Sequence, residues 1–490
     1  MTDGNSRASV LPGLRWATLS RGIMQLITWS ATFLVVRLLS PSDYGLVAMA
    51  TVIASYLTLL GELGFGTALI QKRTQDSETL RSVFGALITT GAVLFAVAAV
   101  AAPLVARYFK EPALVGLSTL AAAQFLLMPF TVIPMATLSI HLQFRAIGIA
   151  GMASALFGAA CTLTMAYFKY GPYALIVGTL LGSVARVVAL NVMAPFLSAP
   201  RFSLRAIREF VGFSGIVLTE RSIWYWYAQA DAVIVGTALG ARSLGIFSVA
   251  KQLAAIPHER FAEIMNMVAL PAFAAVKNDL QRVRDGYLKA TRIGAAFSFP
   301  VFAGLAAVAG DLVHVIIGKK WDASIPVLQL ICVSMPLRVI ASVASPVVTA
   351  IGRPDVSLKC ILWAATCVPV LMIIGVHWGL LGVAGAWALG YPIAFVGGSR
   401  LVAKTLGTTL WVILHPLVSP LLCSAIMVAA VLLADQTVLA GLPALVRLGL
   451  SVLSGVVAYG AAMWTLARAQ FQDVTAFALA IFSRRTRAAG

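Results

Sequence analysis

Residues 221–250 read RSIWYWYAQADAVIVGTALGARSLGIFSVA, and residues 21–50 read RGIMQLITWSATFLVVRLLSPSDYGLVAMA. Laid over each other without a gap, both stretches predict a helix, a turn and a second helix. Six positions are identical: Arg21 and Arg221, Ile23 and Ile223, Val35 and Val235, Leu39 and Leu239, Gly45 and Gly245, Ala50 and Ala250. The alignment predicts an internal repeat with a constant offset of 200 residues.

The composition around this repeat is that of a membrane protein. Apolar residues make up 60% of the chain and charged residues 11%, and the mean hydropathy is +0.93. Soluble domains are about 45–50% apolar and about 25% charged. Apolar runs long enough to cross a hydrocarbon core of about 30 Å recur along the whole chain. Because lipid cannot satisfy open backbone groups, we predict an all-α integral membrane protein.

The apolar runs predict fourteen membrane-spanning helices, an even number that puts both termini on one side of the membrane. They cover residues 14–39, 43–66, 83–108, 114–138, 146–168, 172–196, 210–239, 244–271, 287–309, 324–351, 358–377, 380–402, 409–433 and 442–467.

The basic residues indicate which side that is. The net charge of +18 comes from short loops between spans, and therefore does not call for a nucleic-acid partner. Most loop Lys and Arg residues fall on the side of the termini, which is therefore predicted to be cytoplasmic. The opposite loops carry six basic residues: Arg107, Lys110, Lys169, Arg242, Lys319 and Lys320.

The repeat also predicts the domain organisation. Six spans separate the two copies, an even number, so the halves are expected to be parallel six-helix lobes, residues 1–205 and 206–405. Spans 13 and 14, in residues 406–469, fall outside the repeat. Residues 470–490 end in an apolar run followed by arginines, which predicts a cytoplasmic amphipathic tail or a frayed end.

Polar residues at helical spacing form stripes along spans 1, 2, 7 and 8. A charge in hydrocarbon costs about 2.5–3.5 kcal/mol, so we expect these stripes to face a water-filled cavity between the lobes. In spans 1 and 2 they contain Arg21, Gln25, Thr28, Thr32, Thr51, Ser55, Thr58 and Glu62. In spans 7 and 8 they contain Glu220, Arg221, Trp224, Tyr225, Tyr227, Asp231, Lys251, Gln252, His258, Glu259, Glu263 and Asn266.

Plainer interpretations of these residues stay open. Arg21 is close enough to a helix end to reach the membrane surface. Glu220 and Asp231 either neutralise Arg221 or couple transport to an ion. The aromatic residues 224–227 serve either packing or stacking on a sugar. His258 also fits an interfacial segment, and Glu62 lies near a helix end.

Several residues and motifs exclude other classes of protein. The five cysteines lie in apolar runs, as small core residues do: Cys161, Cys332, Cys360, Cys367 and Cys423. No nucleophile, metal-ligand or phosphate-loop motif occurs, so we expect no cofactor, no metal and no enzyme activity. Arg186, Arg338 and Arg447 have no role that the sequence predicts.

Four stretches carry a family resemblance: RLLSPSDYGLVAMA (37–50), GELGFGTALIQ (61–71), ALPAFAAVKND (269–279) and AIGRPDVSLK (350–359). Together with the spans, they resemble the bacterial polysaccharide flippases, the Wzx-type transporters of the multidrug/oligosaccharidyl-lipid/polysaccharide superfamily. Within that superfamily they look most similar to exporters of repeat units for exopolysaccharide, colanic-acid-like or teichuronic-acid-like polymers.

The resemblance implies two six-helix lobes in a V, with spans 1, 2, 7 and 8 lining a central cavity. It implies alternating access that moves an undecaprenyl-diphosphate-linked oligosaccharide from the cytoplasmic to the periplasmic leaflet. It further implies that Arg21, Arg221 and Lys251 meet the diphosphate, although the carboxylates beside Arg221 depart from that expectation. A monomeric transport unit that works with a polysaccharide polymerase and export machinery is the implied assembly.

Three other functions compete with this one. A drug or cation exporter of the same superfamily would use Glu62, Asp231, Glu259 and Glu263 to bind cations. A peptidoglycan-precursor (lipid II) flippase would share the fold. A membrane polymerase would need a sizeable periplasmic loop, which the spans do not leave. The sugar composition of the substrate is not predicted, nor is the energy source, for which Asp231 and Glu62 are candidates.

Overall fold

The structure is a computed structural model that describes residues 22–61, 65–72, 76–196, 198–202, 215–437, 439, 441–468, 470–472 and 475. Its regular secondary structure is helical, and no β-strand occurs in these residues. The predicted site residues Arg21 and Glu62 and residues 476–490 of the predicted tail lie outside them.

The chain packs as two compact units, Met1–Gly245 and Ile246–Gly490. The first unit holds α1 (Gly22–Leu38), α2 (Pro41–Gly61), α3 (Phe65–Lys72), α4 (Ser77–Phe109), α5 (Leu114–Ala122), α6 (Gln124–Ile140), α7 (Phe144–Tyr167) and α8 (Pro172–Met193). The long helix α9 (Gly215–Ala275) begins in the first unit and ends in the second. The predicted lobe boundary between residues 205 and 206 falls in a segment that is not described, and it stays a prediction.

The second unit continues from the end of α9 through eight helices. They are α10 (Leu280–Ala307), α11 (Ala309–Ile316), α12 (Ser324–Ala341), α13 (Ala344–Ala350), α14 (Pro354–Gly375), α15 (Gly379–Thr405), α16 (Leu410–Thr437) and α17 (Ala444–Leu466). Short 3₁₀ turns at Lys319–Trp321 and Val376–Trp378 precede α12 and α15.

Among the described residues, eleven helical segments are long and apolar enough to span a membrane. One of them, Pro354–Thr405, contains two predicted spans, and another, Arg221–Glu263, contains most of predicted spans 7 and 8. The shorter apolar helix α1 covers the described part of predicted span 1. The all-α integral membrane fold is therefore confirmed, and a count of fourteen spans is compatible with it.

The helix α9 contains a break where the sequence predicts the turn between spans 7 and 8. Gly240 has φ 77° and ψ 177°, a conformation that side chains other than hydrogen rarely tolerate. The residues before and after it are helical. The predicted span boundary at residues 239–244 is thus produced by one glycine rather than by a loop.

Helix packing in the first unit depends on small residues. Gly158 and Gly182 lie on α7 and α8, and a Cβ built at Gly158 would lie 3.2 Å from the Cα of Gly182. Such close approach increases the van der Waals contact that associates helices in a bilayer, where lipid removes the hydrophobic drive. The glycine-rich character of these spans is therefore a packing feature.

Within the second unit, α17 contacts α10, α11 and α16. The Tyr459 hydroxyl on α17 donates a hydrogen bond of 2.7 Å to the backbone carbonyl of Ala296 on α10. Arg447 on α17 pairs with Asp311 on α11, with Nε–Oδ2 at 2.8 Å, and its Nε lies 3.6 Å from Oδ1 of Asp435 on α16. Arg447, which the sequence left without a role, therefore holds three helices together.

The cysteines are all free thiols. Cys332 and Cys423 are buried, and Cys161, Cys360 and Cys367 are half-buried. Their predicted absence from disulfides is confirmed, and Cys332 and Cys423 are core residues as predicted.

Candidate functional site

The candidate site of the second unit is built on two aromatic rings of α15. Trp387 and Tyr391 are one helical turn apart, and their rings stack with centroids 6.3 Å apart and planes 30° apart. Trp387 is only 2% exposed. The face of such a ring carries negative charge and attracts cations.

Two cations from different helices approach this aromatic pair. The Arg338 Cζ atom on α12 lies 4.7 Å from the Trp387 ring centroid and 5.9 Å from that of Tyr391. The Lys251 Nζ atom on α9 lies 6.0 Å from the Trp387 centroid. All three distances fall within the range of a cation–π contact, which is about 6 Å. Three helices therefore converge on one indole ring.

His258 belongs to the same neighbourhood. It follows Lys251 by seven residues, about two turns, so both side chains lie on one face of α9. Its ring is within electrostatic reach of Arg338. The stripe that the repeat predicts for span 8 thus runs along the helix face that borders Arg338.

Arg338 brings a positive charge to this cluster. Arg338 is half-buried, and besides the two rings it contacts Met335 Sδ at 3.8 Å. No carboxylate of a described residue lies within ion-pair distance of its guanidinium. Ring contacts stabilise a cation without neutralising it, so the guanidinium keeps its capacity for an anion. Its planar fork suits phosphate oxygens.

The sequence alone does not predict the contact of Arg338 with the Trp387 and Tyr391 rings. Arg338 is the lone charge in the apolar run 324–351, and Trp387 and Tyr391 show the i, i+4 spacing of one helix face. Neither signal says which helix faces which. Tertiary contact alone brings them together.

The aromatic residues 224–227 differ in burial and in the contacts that they make. Tyr225 is 6% exposed, and its hydroxyl donates a hydrogen bond to the backbone carbonyl of Val52 on α2. Its ring lies 5.3 Å from that of Tyr56, which also contacts Trp226 at 5.3 Å. Trp224 is 54% exposed. Tyr225 therefore packs α9 against α2, and its predicted cavity role stays a prediction.

The charges beside this run lie in different environments. Arg221 is exposed, whereas Asp231 is 3% exposed and its Oδ1 accepts a hydrogen bond of 2.8 Å from the backbone N–H of Ala232. Ten helical residues separate the two backbone positions by about 15 Å along the axis. Arg221 and Asp231 therefore have separate surroundings. The side chain of Glu220 lies outside the described part.

The remaining predicted site residues are exposed or half-buried. Gln25 is half-buried, and the exposed Thr28 donates a hydrogen bond of 2.8 Å to the carbonyl of Met24 in its own helix. Glu259 is exposed, and Glu263 forms an exposed pair with Arg260 at 2.9 Å. An exposed pair of this kind contributes about 0–1 kcal/mol. The roles predicted for these residues stay predictions.

A separate cavity lies inside the first unit. Its volume is about 540 Å³, and α2, α3, α6 and α8 enclose it. Thr58, one of the predicted cavity residues, lines it together with Arg186. Arg186 is a further arginine that the sequence left without a role.

The helical fold defines the class of this chain, a multi-pass integral membrane protein. The chain belongs to the Polysacc_synt_3 family of polysaccharide biosynthesis proteins, whose family model matches residues 34–326. The family resemblance of the sequence motifs is thereby confirmed.

Two curated relatives and one solved structure agree with this assignment. The chain is 26% identical over 454 residues to the teichuronic acid biosynthesis protein TuaB of Bacillus subtilis (strain 168), covering 92% of this chain and 94% of that protein. It is 24% identical over 380 residues to the lipopolysaccharide biosynthesis protein WzxC of Escherichia coli (strain K12), covering 77% of each. The structure of the lipid II flippase MurJ in an inward closed conformation matches with a TM-score of 0.75 at 15% identity, covering 92% of this chain and 98% of that one. This last likeness concerns the fold.

Proposed function

We propose that this chain is a flippase that moves undecaprenyl-diphosphate-linked oligosaccharide repeat units from the cytoplasmic to the periplasmic leaflet for exopolysaccharide or lipopolysaccharide synthesis. The family and the fold shared with a lipid flippase support a transported lipid. The observation that carries the proposal is the cluster of Lys251 and Arg338 on the Trp387 ring.

The chemistry of the cluster fits the diphosphate part of such a lipid. Arg338 offers a planar set of N–H donors, and Lys251 offers a second cation near the same indole ring. The rings of Trp387 and Tyr391 contact Arg338, and no carboxylate of a described residue lies within ion-pair distance of its guanidinium.

Transport then needs no covalent step. Alternating access exposes the cationic site first to the cytoplasmic leaflet and then to the periplasmic one, and the lipid tail stays in the bilayer. We place the protein in the bacterial inner membrane with both termini in the cytoplasm. Arg21 and Arg221 are proposed as further contacts of the diphosphate, and a polymerase and export machinery as partners of a monomeric unit.

The test is lipid flipping in proteoliposomes. A labelled undecaprenyl-diphosphate oligosaccharide is placed in one leaflet, and its arrival in the other is followed with a membrane-impermeant reagent that modifies the sugar. Charge-assisted hydrogen bonds contribute about 1.5–3 kcal/mol, so Arg338→Gln is expected to slow flipping roughly tenfold or more. Lys289→Gln removes an exposed cation of the same unit and is the matched control.

The outcomes separate the competing functions. Flipping by wild type and Lys289→Gln, with a strong loss in Arg338→Gln, supports the proposal. Flipping of lipid II in preference to the oligosaccharide lipid would assign the peptidoglycan-precursor function instead. Uptake of a lipophilic cation such as tetraphenylphosphonium, with no lipid flipping, would assign a cation exporter.

A further inference from the structure

The cavity of the first unit combines a mainly apolar wall with several polar groups that do not belong to the proposed diphosphate site. Its described lining holds one charged residue, Arg186 on α8. Hydroxyl and amide groups from three helices surround it, namely Thr58, Gln124, Thr131 and Ser183. Apolar side chains such as Phe65 and Met128 form the rest of the wall.

The hydroxyl groups of this lining act as acceptors. Thr58 donates its hydrogen to the Ala54 carbonyl at 2.9 Å. Thr131 donates to Leu127 at 3.1 Å. Ser183 likewise donates to a carbonyl of its own helix, at 3.0 Å. Each hydroxyl oxygen keeps lone pairs toward a ligand, so the cavity is suited to a molecule rich in O–H donors.

Arg186 indicates which charge on the ligand this cavity can accommodate. It forms no ion pair with a described residue, and its guanidinium presents two parallel N–H donors that match the two oxygens of a carboxylate. One cation balances one carboxylate. A diphosphate brings at least two negative charges, which a single arginine at this depth would leave uncompensated.

We propose that this cavity binds an acidic sugar, a uronic acid whose carboxylate pairs with Arg186 and whose hydroxyls donate to Thr58, Thr131 and Ser183. Its apolar wall then contacts the C–H face of the sugar ring. Pockets of about 300–1,000 Å³ hold small ligands, and about 540 Å³ accommodates a short saccharide. This inference rests on the proposed flippase function and names its substrate class: repeat units that contain a uronic acid.

The test compares two disaccharides that differ in one group. Cellobiouronic acid carries a carboxylate where cellobiose carries a hydroxymethyl group. Binding of each to the purified full-length protein is measured by isothermal titration calorimetry. We expect the wild type to bind cellobiouronic acid at least about tenfold more tightly than cellobiose, as one charge-assisted hydrogen-bonded pair implies.

Variants assign the preference to Arg186. Arg186→Gln should bind both disaccharides equally, and Arg186→Lys should keep a reduced preference because it keeps the charge without the fork. Arg107→Gln, an exposed arginine of the same unit, should retain the full preference. If Arg186→Gln does not fold, Arg186→Lys and Ser183→Ala carry the test, and each should weaken cellobiouronic acid binding severalfold.

Four results would overturn the inference. They are equal binding of both disaccharides to wild type, a preference that Arg186→Gln retains, no binding of either sugar at about 10 mM, and inorganic pyrophosphate as the ligand that Arg186 selects. The proposed function fails separately, since it is lost when the wild type flips no oligosaccharide lipid, whatever the disaccharides do.

Discussion

Gly45 on α2 and Gly245 on α9 lie against each other's helices at equivalent positions of the 200-residue repeat. A Cβ built at Gly45 would overlap the backbone carbonyl oxygen of Ala241, and one built at Gly245 would overlap that of Pro41. Pro41 and Ala241 are themselves separated by 200 residues. The contact therefore has twofold symmetry, and the identity of Gly45 and Gly245 in the aligned repeats has a physical cause.

Alanine at either glycine should weaken this helix contact. Gly45→Ala and Gly245→Ala each force the two backbones apart, and overpacking of this kind costs about 1–3 kcal/mol. We expect a clear fall in the thermal unfolding temperature of the purified protein, measured by fluorescence-detected size exclusion after heating. Gly385→Ala is the control, because no atom lies within 4 Å of the Cβ that it would add. Equal unfolding temperatures for all three variants would disprove the contact.

The Trp387 ring should support flipping through its two cations. Trp387→Leu keeps an apolar side chain but removes the ring that Arg338 and Lys251 approach. A cation–π contact contributes about 0.5–2 kcal/mol, so the flipping rate is expected to fall about threefold or more. Trp387→Phe should fall less, because phenylalanine keeps a weaker ring. The control is Trp378→Leu, at a tryptophan that is 72% exposed, and a loss as large there would point to a general effect.

The pair of Arg447 and Asp311 should stabilise the attachment of α17. The Asp311 side chain is 10% exposed and that of Arg447 is 29% exposed, so the pair is largely shielded from solvent. Removing one partner of a buried pair costs about 3–5 kcal/mol, and partial exposure of Arg447 places Arg447→Ala near the lower end. The unfolding temperature should fall accordingly.

Two further variants test the ion pair itself. Arg260→Ala removes an exposed pair with Glu263 and should leave the unfolding temperature nearly unchanged. The double variant of Asp311→Asn and Arg447→Gln removes the buried Asp311 charge together with Arg447 and should recover part of the loss. A double variant less stable than Arg447→Ala would show that the charge pair is not what holds α17.

Asp76 should make the start of α4 sensitive to acid. It caps the helix, and the hydrogen bond from the backbone N–H of Thr79 holds the pKa of its carboxyl below the usual 3.8. A lowered folded-state pKa stabilises the fold above the unfolded pKa and ceases to do so as the pH falls through the folded value. Protection of the first turn of α4 in hydrogen exchange should therefore drop below about pH 3.8.

Asparagine at position 76 distinguishes the effect of the carboxylate charge from the effect of the capping hydrogen bond. Asp76→Asn keeps a side-chain oxygen that can accept from Thr79, so it should protect the first turn with no acid transition in this range. Asp76→Ala removes the cap and should expose the turn at neutral pH. An acid transition that persists in Asp76→Asn would assign the effect to another group.

The sequence predicted most of the fold because its signals are local or periodic. Apolar runs longer than a bilayer is thick determine where helices lie, and Gly240 falls at the turn that divides spans 7 and 8. The offset of 200 residues paired Gly45 with Gly245 before any contact was known. Lys251 and His258 were placed on one face of a helix by spacing alone.

The candidate sites were less predictable, because the sequence around a charged residue in an apolar helix does not show which residue of another helix it contacts. Arg186, Arg338 and Arg447 look alike in sequence, yet one lines a cavity, one lies on Trp387 and one pairs with Asp311. Tyr225 and Trp224 are neighbours in the chain, but α9 turns the first against α2 and leaves the second exposed. Helical rotation and the neighbouring helix determine these differences.

The sequence by itself therefore determined that this is an all-α membrane protein of a polysaccharide biosynthesis family, and it predicted repeated halves and cationic helix faces. Hydropathy, loop charge and repeat spacing depend only on the order of residues along the chain, so they can be determined without a structure. Only the tertiary structure decided which cation meets which group, because residues such as Lys251, Arg338 and Trp387 come from helices far apart in sequence. Their electrostatic environment exists only after those helices pack.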